Sequence, residues 1–174
     1  QIFVNGNKAV ILEVNSETDF VAKNDEFKNF VNELGNALLN SDASTMEEAL
    51  KVSVDGEDIA TKVVNITAKI GEKLSFRRME VVTKSDSESF GDYIHMGGKI
   101  AVLTIVDNAS TEVAKDVAMH AAAMKPAYVK SEDVPTEVLD KEKDIMREQL
   151  LNEGKPADRI EGILVGKVKK YYEE

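Results

Sequence analysis

The chain has 174 residues, 43% of them hydrophobic, which is enough to bury a core in one domain or in two small lobes. Lys and Arg total 22 against 32 Asp and Glu, and the net charge of −10 argues against nucleic acid or an anionic membrane as a direct partner. The absence of Cys excludes disulfides, thiolate metal sites and Cys nucleophiles and fits a reducing cytosol, while no apolar run approaches the roughly 18 to 20 residues of a membrane span.

Ile2, Phe3 and Val4, then Asn5-Gly6, then the apolar run from Ala9 to Val14 predict an antiparallel hairpin. Asn24 and Asp25 precede Phe27, Phe30, Val31, Leu34 and Leu38, whose three- and four-residue steps predict an amphipathic helix with an Asx cap, interrupted only by Gly35. Ser44 or Thr45 can cap a short helix through Leu50, and Asp58 another through Ile66, with a turn at residues 54–57 between them. Residues 74–82 are rich in strand formers, and the polar stretch at 83–89 separates a first lobe, 1–86, from a second, 87–130. That second lobe reads as strands near 90–96 and 99–106 around Gly97-Gly98, followed by a helix from Ser110 or Thr111. Its buried stripe is predicted at Val113, Val117, Ala121 and Met124, with His120 buried or half-buried beside them.

From Pro135 onward the pattern is charged and helical, with Pro suited to first turns and Gly154 to the bend between two arms. Residues 131–174 therefore predict an antiparallel helical hairpin, Val138, Ile145 and Met146 facing Ile160, Leu164, Val168 and Tyr171 along a coiled-coil seam that can close on itself as a stalk or serve self-association or partner contact. The fold class is α+β: two lobes, each with a small antiparallel sheet packed on helices, plus the protruding hairpin. The strand at the start and the uncapped helix at the end suggest a chain cut from something longer.

Shifting the sequence on itself by 92 residues places Ala9, Val10, Val14, Val21, Ala22 and Lys23 on Ala101, Val102, Val106, Val113, Ala114 and Lys115, six identities over fifteen positions. One strand-loop-helix module is thus predicted twice. At the start of its helix the second copy carries Ser110, Thr111 and Glu112, an ordinary cap and first-turn carboxylate. The first copy carries Thr18, Asp19 and Phe20 there. Phe20 lies seven positions before Phe27 and can continue its stripe into the core, the reading that the residues alone favour; Asn24-Asp25 as a fresh cap leaves the other reading, an exposed aromatic anchor.

The run LEVNSETDFVAKNDEF from Leu12 to Phe27 resembles the signature of the elongation factor Ts family. The resemblance continues through AKIGE at 68–72, Arg77-Arg78, Tyr93 to His95, KIAVL at 99–103, MHAA at 119–122 and Lys125-Pro126, covering nearly the whole chain. It implies a cytoplasmic protein, of bacteria or of an organelle's matrix, that exchanges guanine nucleotide on elongation factor Tu in protein biosynthesis. Family members also carry a small helical domain before this region and a continuation after the coiled coil, and residues 41–58 are longer here than in its shorter members. By resemblance, Thr18, Asp19, Phe20 and Val21 form a wedge, with Phe20 pushed into the partner's nucleotide domain near Mg²⁺ and Asp19 accepting hydrogen bonds from it. Ile70, Gly71 and His95 form a pocket that grips a helix of the partner. Each residue also has a plainer reading: Asp19 as a helix cap, Ile70 as core, Gly71 as a turn, His95 as a surface histidine and Arg77-Arg78 as a solvated strand end.

An enzyme is not expected. Gly97-Gly98-Lys99 lacks the spacing and hydroxyl of a phosphate loop, no G-x-S-x-G is present, and the two His residues are not at metal spacing. No catalytic residue, cofactor or metal is assigned. The rival to an exchange factor is a GTPase-binding scaffold or chaperone-like module that needs no wedge.

Overall fold

Strands β1 (Ile2–Asn5) and β2 (Lys8–Asn15) form the first hairpin in a computed structural model that describes residues 1–173. Asn5 pairs with Lys8, so the loop residues are Gly6 and Asn7, one place later than the Asn-Gly dipeptide suggested, and Gly6 supplies the positive φ of 56°. Strand β5 (Ser75–Thr83) adds to the other edge of β2 with a bulge between Glu13 and Val14, giving an antiparallel sheet of order β1-β2-β5.

Five residues, α1 (Asp19–Lys23), come before the main helix α2 (Asp25–Leu39), which buries Phe27, Phe30, Val31, Leu34 and Leu38, the predicted stripe. Gly35 is buried beneath the ring of Phe3, which a Cβ there would strike, so the position requires Gly. A short α3 (Met46–Leu50) with a Thr45/Glu48 capping box follows, then β3 (Ser53–Val54), β4 (Glu57–Asp58) and α4 (Ile59–Ile70), capped by the Asp58 carboxylate on the Thr61 N–H at 2.7 Å. One core unites these elements, with Val10, Leu12, Val21, Leu34, Leu38 and Ile59 among its members.

Strands β6 (Glu88–His95) and β7 (Ile100–Asp107) pair antiparallel around a 3₁₀ turn at Met96–Gly98, and α5 (Thr111–Met124) follows. The bounds of β2 and β7 differ by 92 residues at both ends, and so do the first residues of α1 and α5, as the sequence shift requires. The stripe predicted on α5 is corrected by one position. Val113, Val117 and Met124 are 50%, 43% and 51% exposed, whereas Ala114, Ala118 and Ala122 are buried. A close approach explains this: a Cβ on Gly91 of β6 would collide with the carbonyl of Ala114, so only small residues fit the contact. His120 is exposed as well, off the alanine face.

These elements form one compact unit, Gln1–Ala123, and the chain from Met124 onward forms a second. In the second unit α6 (Thr136–Asn152) and α7 (Ala157–Glu173) fold back on one another through Gly154, whose φ is 74°. Leu150, Ile160 and Leu164 are its buried residues, and Arg147 bridges to Glu161 at 2.8 Å. Ile145, assigned to the seam from sequence, is exposed, and the buried residue of α6 is Leu150, near the bend. Among the described residues no helix is long and apolar enough to cross a membrane.

Candidate functional site

Strands β2 and β5 pair Asn15 with Ser75, so the segments 16–18 and 72–74 leave the sheet side by side. Thr18 follows in extended conformation (φ −123°, ψ 152°), and its hydroxyl caps α1 by accepting the Val21 N–H at 3.4 Å. The Glu72 carboxylate reaches across from the other segment. One of its oxygens accepts the Thr18 N–H at 3.1 Å and the other accepts the Thr18 hydroxyl at 2.7 Å. Ser16 Oγ donates to the Thr18 carbonyl at 3.0 Å.

Successive helical residues point about 100° apart, so a short helix that buries one residue must turn the previous one aside. Val21 is 8% exposed and belongs to the core; Phe20 is 87% exposed. The residues alone favoured a core Phe20, and that reading is corrected here. The helix that holds it stops after five residues, because Asn24 donates its N–H back to the Val21 carbonyl at 2.9 Å and caps α2 with its side chain on the Glu26 N–H at 2.7 Å. Phe20 therefore never joins the stripe that starts at Phe27. Within the proposed wedge, Val21 is an anchor to the core rather than a projecting residue.

Asp19 is not the cap, which is Thr18; it meets Lys99 Nζ at 3.2 Å, an exposed ion pair of small energetic weight. The contact shows that the turn between β6 and β7 lies beside α1. His95 ends β6, exposed, its Nδ1 3.0 Å from the Tyr93 hydroxyl and its ring stacked on Tyr93 at 5.8 Å. Beside it Met96 is exposed in the left-handed region at φ 51°, an apolar surface residue that sequence reasoning passed over. Ile70 is half-buried against the core of the same unit, and Gly71 ends α4 in the left-handed conformation at φ 80°, with open space where a Cβ would point. Glu72 was missed too; its place directly after the Ile70-Gly71 turn was the available signal.

Between β2 and the β6–β7 turn runs a groove of about 820 Å³, lined by Leu12, Val14, Thr18, Met79, Met96 and Ile100 among others. Arg77 and Arg78, read as a solvated strand end, are both exposed, and they converge on Glu13 at 2.9 and 2.6 Å. The Asn15 side-chain amide and these guanidinium groups hold the Glu13 carboxyl down at about 2. Among the described residues no group of three or more His, Asp or Glu side chains is placed to hold a metal ion.

The site is thus an exposed aromatic on a one-turn helix, tied by Glu72 to the Ile70-Gly71 turn and by Lys99 to the segment that carries His95. It offers apolar surface and hydrogen-bonding edges for docking. In a comparison with protein families, the model described as Elongation factor TS matches residues 17–174, a span that contains every one of these side chains.

Proposed function

We propose, because the chain belongs to the elongation factor Ts family, that it docks on elongation factor Tu and expels GDP by pressing Phe20 toward the partner's Mg²⁺ and phosphate site. The family consists of nucleotide exchange factors of translation, which make and break no covalent bond. The observation that carries the finer reading is the exposure of Phe20 at 87%, on a turn anchored from below by Val21. A free aromatic ring of this kind is the usual anchor of an interface hot spot.

The physics is linkage. A protein that binds the nucleotide-free GTPase more tightly than the GDP-bound form must weaken GDP by the same free energy. Mg²⁺ demands near-ideal octahedral geometry, so an apolar ring inserted among its supporting elements need displace them only slightly to loosen the ion. Loss of the ion uncovers phosphate charge, and GDP leaves faster. Ile70, Gly71 and His95 would grip a helix of the partner's nucleotide domain, and Asp19 would accept hydrogen bonds from it once Lys99 is displaced. The reading places the protein in a bacterial cytosol or an organelle's matrix.

The test is release of labelled GDP from elongation factor Tu with and without the chain. Faster release is the expected result. Complex formation with unchanged release would make the chain a scaffold, and no complex at all would remove the proposal.

A further inference from the structure

We propose that Glu72 is a positioning residue for the Phe20 turn, a role that rests on the exchange reading above and adds to it. Helix α1 has five residues, too few to persist by its own hydrogen bonds, so its direction must be imposed by its anchors. Val21 holds it from beneath and Asn24 holds its C-terminal end. At the N-terminal end the holding groups are the Ser16 hydroxyl on the Thr18 carbonyl, the exposed Asp19–Lys99 pair and the Glu72 carboxylate.

Of these the carboxylate is the strongest orienting device. Its two oxygens take two donors of one residue, the Thr18 N–H at 3.1 Å and the Thr18 hydroxyl at 2.7 Å, which fixes rotation as well as position. The hydroxyl has a single proton; by drawing it, Glu72 leaves a lone pair free for the Val21 N–H, the cap bond at 3.4 Å. Glu72 therefore acts on the cap itself. The residue stands 54 positions away in sequence, and it reaches Thr18 because Gly71, at φ 80°, turns the chain out of α4 just before it. One side chain thus registers the projecting ring against the Ile70-Gly71 turn, two features that would meet the partner together.

Without the carboxylate the ring keeps its exposure but samples more directions, and ordering it falls on the binding step. The experiment compares the full chain with Glu72→Ala, Glu72→Gln, Phe20→Ala and the Phe20→Ala/Glu72→Ala double variant in labelled-GDP release from elongation factor Tu. Amide hydrogen exchange at residues 18–22 is followed in parallel without the partner.

Glu72→Ala is expected to slow stimulated release about fivefold while its urea midpoint stays near that of the parent, the loss corresponding to ordering a short turn on contact. Glu72→Gln, which keeps one acceptor, should fall between the two. Amides 18–22 should exchange faster in Glu72→Ala, and those of α2 should not change. In the Phe20→Ala background the Glu72→Ala change should have no further effect, since its action passes through the ring. Unchanged release by Glu72→Ala beside an active parent, or an equal added loss in the double variant, would overturn the proposal. A parent chain that does not stimulate release would instead refute the exchange reading. In that event the amide exchange still judges the carboxylate, and unaltered protection at residues 18–22 would overturn its positioning role.

Discussion

Replacing Phe20 with Ala removes a ring that is 87% exposed, so the fold loses almost no contact. Stability in urea should stay within about 0.5 kcal/mol of the parent, the usual range for a surface change. Binding is different. Burying an aromatic ring on a partner returns about 2 to 3 kcal/mol, and in the proposed mechanism part of that free energy is used in distorting the partner's Mg²⁺ site. A net loss of about 1.4 kcal/mol or more in the variant corresponds to tenfold or more in stimulated exchange. The assay is stopped-flow release of labelled GDP against an excess of unlabelled nucleotide, run at several concentrations of exchange factor to separate the maximal rate from the half-saturating concentration. The main effect is expected in the maximal rate, since in the proposed mechanism the ring acts when the site is opened. Equal rates for both proteins would take Phe20 out of the mechanism. A fall of more than about 1 kcal/mol in folding stability would show that the ring packs in its own lobe after all.

His95→Ala should weaken complex formation with elongation factor Tu several-fold, checked by calorimetry, and leave the melting profile nearly unchanged because the ring is exposed and stacks on Tyr93 at the surface. Gly91→Ala should destabilise the first unit by more than about 2 kcal/mol in urea, since the new methyl meets the Ala114 carbonyl and neither backbone can yield without lifting α5. Glu13 lies well below the ordinary 4.5, at about 2, so its contribution is fully present above pH 4.5 and is lost as pH falls toward 2. Because both guanidinium partners are largely exposed, solvent screening limits it to about 1 kcal/mol, and Glu13→Gln should flatten the acid limb of stability between those two pH values.

Periodicity and turn chemistry made much of the fold readable. The α2 stripe from Phe27 to Leu38 is spaced for a helix, and the glycines at 6 and 97–98 mark where the two hairpins turn. The face of α5 was not readable, because hydrophobicity ranks Val113 and Val117 above the alanines, whereas the backbone contact at Gly91 selects by size. Ile145 and Leu150 show the same limit on α6: charge and apolar residues alternate closely enough to fit more than one register. For the candidate site, Thr18, Asp19, Phe20, Ile70, Gly71 and His95 were named by the family resemblance, while the bond that links two of those segments was not readable. Glu72 and Thr18 are far apart in the chain, and no local pattern reports a pairing that depends on where two strands end.

The repeated module supplies the cap from which Phe20 projects. Thr18 accepts the Val21 N–H with its hydroxyl, and Ser110, 92 residues later, accepts the Val113 N–H in the same way. The carbonyls of the same two residues accept from Ala22 and Ala114. With the cap shared, the second residue of each helix occupies an equivalent local position. In the second copy that residue is Glu112, exposed, as suits a first-turn carboxylate. In the first copy it is Phe20, equally turned to solvent. The cap is common to both copies but the buried face is not: Val21 is 8% exposed and its counterpart Val113 50%, so the outward direction of Phe20 follows from Val21 entering the core. An aromatic ring placed where the fold offers no core to receive it gains little for stability, and in the proposed function its burial comes from elongation factor Tu. The break at Asn24 completes the arrangement: α5 continues for fourteen residues across its sheet, whereas α1 ends after five, leaving a short turn with the ring at its outer side.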